Sequence, residues 1–325
     1  MTELSQILDA LLTGPTSPPP IADVADWWSG YLQTGPDVDV PLHRAILGGF
    51  YADRLGYAFA AGYREAMRFM FAGTGTGKWA LCATEDKGAH PRFIQCRLEP
   101  AEGGRMTLSG TKSYVTLGPH ADGYIVIAST GRSADGLNQL TAVRVPRSRA
   151  GMTLTELPPT PFVPELPHAR IAFDAVSVNA DELLPGDGYT RYLKPFRTVE
   201  DVHVMAAACA WLVQIGRGNG WPNTLVEEFI AVILALAGLT AAMGDPPARR
   251  GAVETPLEST LAPSIHIALA GALAQIDRLV AATDEHWADV DHDTRVRWQR
   301  DRRLLQVASK ARARRREVAW QRRRT

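Results

Sequence analysis

Cysteine is scarce in this chain. Cys82, Cys96 and Cys209 are odd in number, widely spaced and without a CxxC pair. Such a set excludes a disulfide framework and points to buried thiols in a reducing, cytoplasmic compartment. An excess of one charge is also missing. With 35 basic and 35 acidic residues the formal net charge is zero, so the molecule as a whole has no bias towards nucleic acid. Long apolar runs are absent: the longest, Phe229 to Met243, holds about 15 residues against the roughly 20 needed to cross a bilayer. It is read as a buried helix, with no membrane insertion. The opening MTELSQILDALLTGP is too short and too acidic for a secretory leader. The chain has no internal repeat, and strand–helix alternation is lacking, which excludes a Rossmann unit.

What is present falls into three textures. The 325 residues, 46% of them hydrophobic, suffice for one large core or two to three smaller ones. Residues 1–77 read as helical after a Pro-rich break, Thr13 to Pro20, with apolar residues at helical spacing from His43 to Phe71. Gly48, Gly49 and Gly56 predict an interruption there. Residues 78–189 alternate short apolar runs (WALCAT, FIQCRL, MTLSG, KSYVTL, YIVIAST, LTAVRVP, RIAFDAVSV) with turn signals, which predicts an antiparallel sandwich or barrel. Residues 190–325 predict helices near 198–216, 223–243, 257–285 and 294–322, hence a four-helix bundle. The expected class is α+β: an N-terminal helical domain, a middle β-domain and a C-terminal bundle.

Three motifs read as structural. Gly73 to Lys78, GTGTGK, resembles a phosphate-binding loop but has one residue too few between its glycines, and Trp79 stands where Ser or Thr is needed. Asp284 to Asp293 holds His286 and His292 among acids; between two helices it reads as a solvated turn rather than a metal site. From Arg295 to Thr325 there are 13 Lys or Arg against Asp301 and Glu317. Val296, Leu304, Leu305, Val307, Ala308, Ala311 and Val318 fit one buried helix face, leaving the cations to solvent or to an acidic subunit surface.

The middle region resembles the acyl-CoA dehydrogenase family. Thr84-Glu85 is followed some 25 residues on by Gly110-Thr111-Lys112-Ser113-Tyr114-Val115-Thr116, then by Ala121-Asp122 before an apolar strand. VRVPRSRAGMTL and ARIAFDAVSVNADELLPGDGY follow in the family's order. The resemblance implies the helix–sheet–bundle fold, bound FAD, an acyl-CoA thioester as substrate, a homodimer or tetramer, and electron-transfer flavoprotein as a possible partner. It places Leu81, Ala83 and Thr84 against the flavin ring. It puts Tyr114 in the place of an aromatic lying against the flavin, Thr116 beside it, and His90 where the family has a Ser near the cofactor or substrate. Ordinary strand packing is the competing reading for Thr84, Tyr114 and Thr116.

The implied chemistry is α,β-desaturation, which needs a base for the α-proton, a hydride acceptor and donors that polarise the thioester carbonyl. The family's usual C-terminal Glu has no counterpart before Thr325. Glu200, in FRTVEDVHVMAAACA, falls where some members carry the base and is the candidate here, with Asp201 as a second. The competing reading makes Thr198 a helix N-cap and Glu200 a first-turn acid favoured by the helix dipole. His203 reads as a packed core histidine. Tyr189, Tyr192, Lys194, Arg197 and Glu200 form a constellation that either lines a site or makes a rigid crossover. The family's Arg–aromatic–Gly stretch for the adenosine end has no match, and Arg217 stands at the wrong distance. Two further readings stay open: a non-catalytic subunit acting through a partner, and a flavin monooxygenase on the same scaffold.

Overall fold

The structure is a computed structural model that describes residues 2–35, 37–71, 73–244 and 262–324. Four helices come first: α1 (Glu3–Thr13), α2 (Val24–Gln33), α3 (Pro41–Phe50) and α4 (Leu55–Met70). Their starts follow local chemistry. Thr2 and Asp23 cap α1 and α2 by accepting first-turn N–H groups, and Pro41 opens α3. The break between α3 and α4 falls at residues 51–54 rather than at a glycine. The glycines serve packing instead. A Cβ at Gly49 would lie 2.2 Å from the Ala207 carbonyl oxygen, and one at Gly62 would lie 2.6 Å from the Val204 Cα. Only glycine lets two helix backbones come this close.

Among the described residues, five α-helices follow the strands: α5 (Lys194–Gly218), α6 (Asn223–Met243), α7 (Pro263–Ala282), α8 (His292–Asp301) and α9 (Ser309–Arg324). The expected helix at 223–243 coincides with α6. The start of the one expected at 257–285 lies partly outside the described residues. The one expected at 294–322 is cut by a 3-10 turn, Arg302–Gln306. The helix expected at 198–216 begins earlier, in a π-turn at Gly188–Leu193 that runs on into α5. Thr198 is therefore buried inside a helix and is not an N-cap.

The chain divides into two compact units. The helical unit comprises residues 1–72, 161–165 and 198–325. Its core carries a tryptophan stack, with Trp287 and Trp298 rings 4.6 Å apart at 11° and Trp211 5.8 Å from Trp298. Trp287 is thus the buried centre of the Asp284–Asp293 segment, and its indole N–H donates to Thr283. Gln214 of α5 donates to the carbonyls of Phe50 and Ala52 and closes the end of α3. Asp301 accepts the Val163 N–H at 2.7 Å, which ties residues 161–165 to this unit.

Three described helices are long and apolar enough to cross a membrane: Gly188–Gly218, α6 and Pro263–Glu285. The sequence-based reading counted only the unbroken apolar run and so came out too short. The apolar window of the first is 94% buried in the protein, but those of α6 and α7 are only 39% and 33% buried.

The β unit comprises residues 73–160 and 166–197. Its strands are β1 (Trp79–Cys82), β2 (Arg97–Pro100), β3 (Met106–Thr116), β4 (Gly123–Arg132), β5 (Asn138–Pro146), β6 (Met152–Glu156), β7 (His168–Val178) and β8 (Leu183–Leu184). They form one sheet in the order β6-β7-β3-β2-β4-β5-β8, with β1 paired to β4. The sheet is mixed rather than purely antiparallel, because β1 runs parallel to β4. Alternate residues such as Val126, Ala128, Val143, Ile171 and Val176 fill its core.

Gly49→Ala should destabilise the protein by about 3 kcal/mol, since backbone rather than a flexible side chain must move. Gly30→Ala, at an exposed helical site with open space around it, should stabilise by about 0.5–1 kcal/mol. Urea titration followed by circular dichroism measures both, and equal effects at the two sites would refute the packing role.

Candidate functional site

A buried ion pair organises the β unit. The Lys112 ammonium is fully buried, 2.7 Å from Glu85 Oε1 and 3.3 Å from the Ala83 carbonyl. Glu85 also accepts the N–H groups of Gln95 at 2.8 Å and Cys96 at 3.0 Å. One carboxylate therefore draws together the turn after β1, the entry to β2 and the middle of β3. Those two N–H bonds also explain why FIQCRL forms a strand only from Arg97. Ser113 N–H donates to the Thr84 carbonyl at 2.9 Å and fixes β3 beside that turn.

The next residue is where β3 departs from regular pairing. Lys112 faces Ile171 on β7 and Val115 faces Ala169, so β3 carries one extra residue. A bulge of this kind re-aims a side chain. Tyr114 takes it up with φ 54°, in the left-handed region that is costly for an aromatic residue, and its side chain is 65% exposed. Backbone strain of this kind marks sites where the side chain's direction is part of the function. Ala83, Thr84 and Tyr114 are thus gathered by hydrogen bonds to Lys112 and Ser113. Leu81 sits on β1 opposite Ile125 of β4, and half-buried Thr116 lies just beyond the bulge.

His90 is employed differently. It is exposed, and its Nδ1 accepts the Arg92 N–H at 3.3 Å, capping a 3-10 turn at Pro91–Phe93. Beside this turn lies a cavity of about 820 Å³ lined by Glu85, Lys87, Phe93, Arg97, Arg132 and Asn138 among others. None of Leu81, Ala83, Thr84, His90, Tyr114 and Thr116 lines it. Glu85, Gly110 and Thr111 of the motif segments also line it, but Phe93, Arg97, Arg132 and Asn138 come from separate segments without a local motif, so sequence reading missed the cavity. Asn138 shapes its rim by donating to the carbonyls of Pro91 and Ile94. Burial pushes the Cys96 thiol in its wall up to about 11, so that thiol is not a nucleophile at neutral pH.

The other motif residues are spoken for. Lys78 pairs with Asp122 at 3.2 Å, which explains the GTGTGK loop without a phosphate. Tyr192 is buried and donates to the Pro185 carbonyl, and Arg197 donates to Ala89. Tyr189 and Lys194 are half-buried on the same π–α run.

In the helical unit, α5 carries the candidate base. Glu200 is half-buried and lies well inside the helix, so the first-turn explanation for it is gone. Asp201 is buried and paired with Arg312 at 2.9 Å and with Arg315. It is a structural anchor. Buried Thr198 lies 3.3 Å from His266 Nε2 through its hydroxyl. His203 is fully buried against Phe69, and its Nδ1–H donates to the Val199 carbonyl at 2.8 Å. Burial drops its pKa to about 4. Arg217 donates to the carbonyls of Leu11 and Gly14, tying α5 to the end of α1.

With this geometry in place, the class is an acyl-CoA dehydrogenase fold. Residues 80–176 match the family model of the acyl-CoA dehydrogenase middle domain. No curated protein matches the chain by sequence. Among solved structures it is similar to butyryl-CoA dehydrogenase from Megasphaera elsdenii, at 15% identity and TM-score 0.57 over 97% of this chain and 89% of that one. It is also similar to KijD3 in complex with FMN and a dTDP-linked sugar, at 16% identity and TM-score 0.62 over 94% and 87%. A third similar structure is the prolyl acyl carrier protein oxidase AnaB, at 13% identity and TM-score 0.56 over 87% and 89%. The family match is thus confined to residues 80–176, and the chain as a whole shares the acyl-CoA dehydrogenase fold.

Two predictions test these placements. Lys112→Met leaves a buried carboxylate without its cation and should cost about 3–5 kcal/mol. Replacing both partners, Lys112→Met with Glu85→Gln, should recover part of that loss in thermal unfolding. His203, neutral when folded, loses stability as pH falls because the unfolded chain takes up the proton first. The loss should begin near the usual 6.5 and finish near 4, reaching about 3 kcal/mol. His203→Phe should flatten that part of the pH–stability curve; an unchanged slope would show that other groups set it.

Proposed function

We propose that the protein is a flavin-dependent oxidoreductase that desaturates an acyl thioester, carried either by CoA or by a carrier protein. The observation that supports this reading best is the strained, outward-turned Tyr114, held beside Thr84 by the buried Lys112–Glu85 pair. An exposed aromatic face with threonine hydroxyls near it suits the flat tricyclic ring of a flavin, which packs by area and is oriented by a few polar groups. When bound, the flavin supplies a hydride acceptor for the β-carbon.

The chain's own residues then have separate tasks. Tyr114 is the planar platform. Thr84 and Thr116 offer hydroxyls, and Leu81 and Ala83 offer backbone groups at the ring edge. Glu200 is the candidate base for the α-proton; half-burial on a rigid helix keeps a carboxylate oriented and limits the water around it. Arg217, turned to α1, has no part in holding an adenosine end, so whether FAD or FMN is bound depends on other residues. The exposed apolar faces of α6 (Ala231, Leu234, Ala235, Gly238) and α7 (Ala268, Gly271, Ala274) suit a homo-oligomer contact.

Purified protein should show the flavin absorbance bands between about 350 and 500 nm, and acid release with chromatography should identify the flavin. Glu200→Gln should keep the flavin and slow its reduction by butyryl thioester about 10²–10⁴-fold. Protein that stays colourless after incubation with FAD and with FMN would sink the reading. A coloured protein whose Glu200→Gln variant reduces at the normal rate would remove Glu200 as the base. A coloured protein that oxidises no thioester but consumes oxygen with reduced flavin would favour monooxygenase chemistry instead.

A further inference from the structure

Helix α9 is fixed in an uncommon way. Of its sixteen residues only Ala319 is buried, so it takes little stability from the core. A helix that is polar nearly all round needs another source of order. Here that source is packing along α7 together with charge pairs. Arg312 and Arg315 both turn inward onto buried Asp201, and Arg312 also donates to the Leu305 carbonyl. Other cations of the helix reach solvent beside this anchoring face. Lys310, Arg316, Arg323 and Arg324 are exposed, and Arg314 pairs with Glu317 at the surface. Eight Lys or Arg face one acid along this helix. Arg316, Trp320 and Arg323 follow one another at spacings of four and three, which sets them on one stripe. Trp320 is 46% exposed at its centre.

We propose that this stripe docks an acidic carrier domain bearing the acyl thioester, so that substrate reaches the enzyme on a protein-tethered arm. The proposal rests on the thioester reading above and names the partner that delivers the substrate. Trp and Arg are the residues that most often dominate interface energies. Arginine forks also match carboxylates and the phosphodiester by which such an arm is attached. The same two arginines that orient the stripe bolt α9 to Asp201, the neighbour of Glu200 on α5. A carrier seated on α9 is thereby registered to the candidate base through one rigid connection within the helical unit.

Other occupants fit less well. Nucleic acid favours an extended basic surface, whereas this one is a single helix of about 24 Å on a chain of zero net charge. An anionic membrane would engage the exposed apolar faces of α6 and α7 as well as the cations, so its binding would not depend on this stripe alone. A second copy would have to offer the acidic Asp284–Asp293 turn. There Asp284 pairs with Arg302 and Asp291 caps α8, while Glu285, Asp289 and Asp293 are exposed, and the sedimentation arm of the test below separates that case.

The test uses the full-length, flavin-loaded protein and two variants, the triple reversal Arg316→Glu/Arg323→Glu/Arg324→Glu and Trp320→Ala. Binding of a fluorescently labelled, phosphopantetheinylated acyl carrier protein is read by anisotropy at about 0.01 M and about 0.15 M ionic strength. Flavin reduction is read separately with a butyryl thioester on that carrier and on free pantetheine. Wild-type protein should bind the carrier, more weakly at the higher salt. The reversal should weaken binding and raise KM for the carrier substrate by about tenfold or more, and Trp320→Ala should do so in the same direction. KM for the pantetheine thioester and the thermal midpoint should not move. Equal carrier binding by wild type and reversal, or none at low salt, overturns the proposal. So does a loss of binding that tracks a change in sedimentation, which would make the stripe a self-contact. Tighter, stripe-dependent binding to single-stranded RNA or to phosphatidylserine vesicles overturns it as well. If the carrier binds as expected and neither thioester reduces the flavin, the docking surface stands and the catalytic reading fails.

Discussion

The β unit depends on one buried charge pair. An ammonium group taken fully out of water is tolerable only when a carboxylate and carbonyls replace its hydration shell. Lys112 finds both in Glu85 and Ala83, and Glu85 fills its remaining capacity with the Gln95 and Cys96 N–H groups. The turn after β1, the entry to β2 and the centre of β3 cannot shift independently without stranding one of those groups. An apolar pair would hold the strands together equally well but would not fix their register, because it has no direction. The directional pair holds the bulge at Tyr114, and the strain stored there turns an aromatic outward at a defined point. The apolar core of the unit supplies stability, while the ion pair supplies position.

The helical unit solves a different problem, close packing along a long helix. Helix α5 has apolar or small residues on nearly all sides, as a fully surrounded helix must. Gly49 on α3 and Gly62 on α4 are where its neighbours come close enough for backbone contact. Gln214 and Arg217 then satisfy carbonyls at the ends of α3 and α1. The tryptophan stack of Trp211, Trp287 and Trp298 lies within a turn of Gln214. In this setting Asp201 is costly unless paired, and its two partners come from α9. Burying one carboxylate on α5 thus helps place this basic helix, together with its packing along α7.

The same logic separates residues that look alike in sequence. Glu200 and Asp201 are adjacent acids at the place where a base is expected. One helical step of about 100° sends Asp201 inward onto two arginines and leaves Glu200 half-buried. His90 and His203 differ in the same way. The first caps a surface turn, and the second is held neutral in the core by desolvation.

The sequence by itself determined the class of elements and their order. Hydrophobic period and turn residues are local signals, and they suffice to separate helical ends from a strand-rich middle. The spaced Thr84-Glu85 and Lys112 to Thr116 segments carried the family resemblance, because packing that motif requires those residue types. Local signals failed where a neighbour in space overrode them. Thr198 has the pattern of a helix cap but lies inside α5, since the π-turn at Gly188–Leu193 feeds the helix from further upstream. The tail helix breaks at Arg302–Gln306, although its apolar residues continue. What only the tertiary structure decided is which charges face one another. The Lys112–Glu85 pair is separated by 27 residues, and the Asp201 pairs by more than 100. No local pattern encodes such partners, because burial decides which charges must meet, and burial is a property of the folded chain.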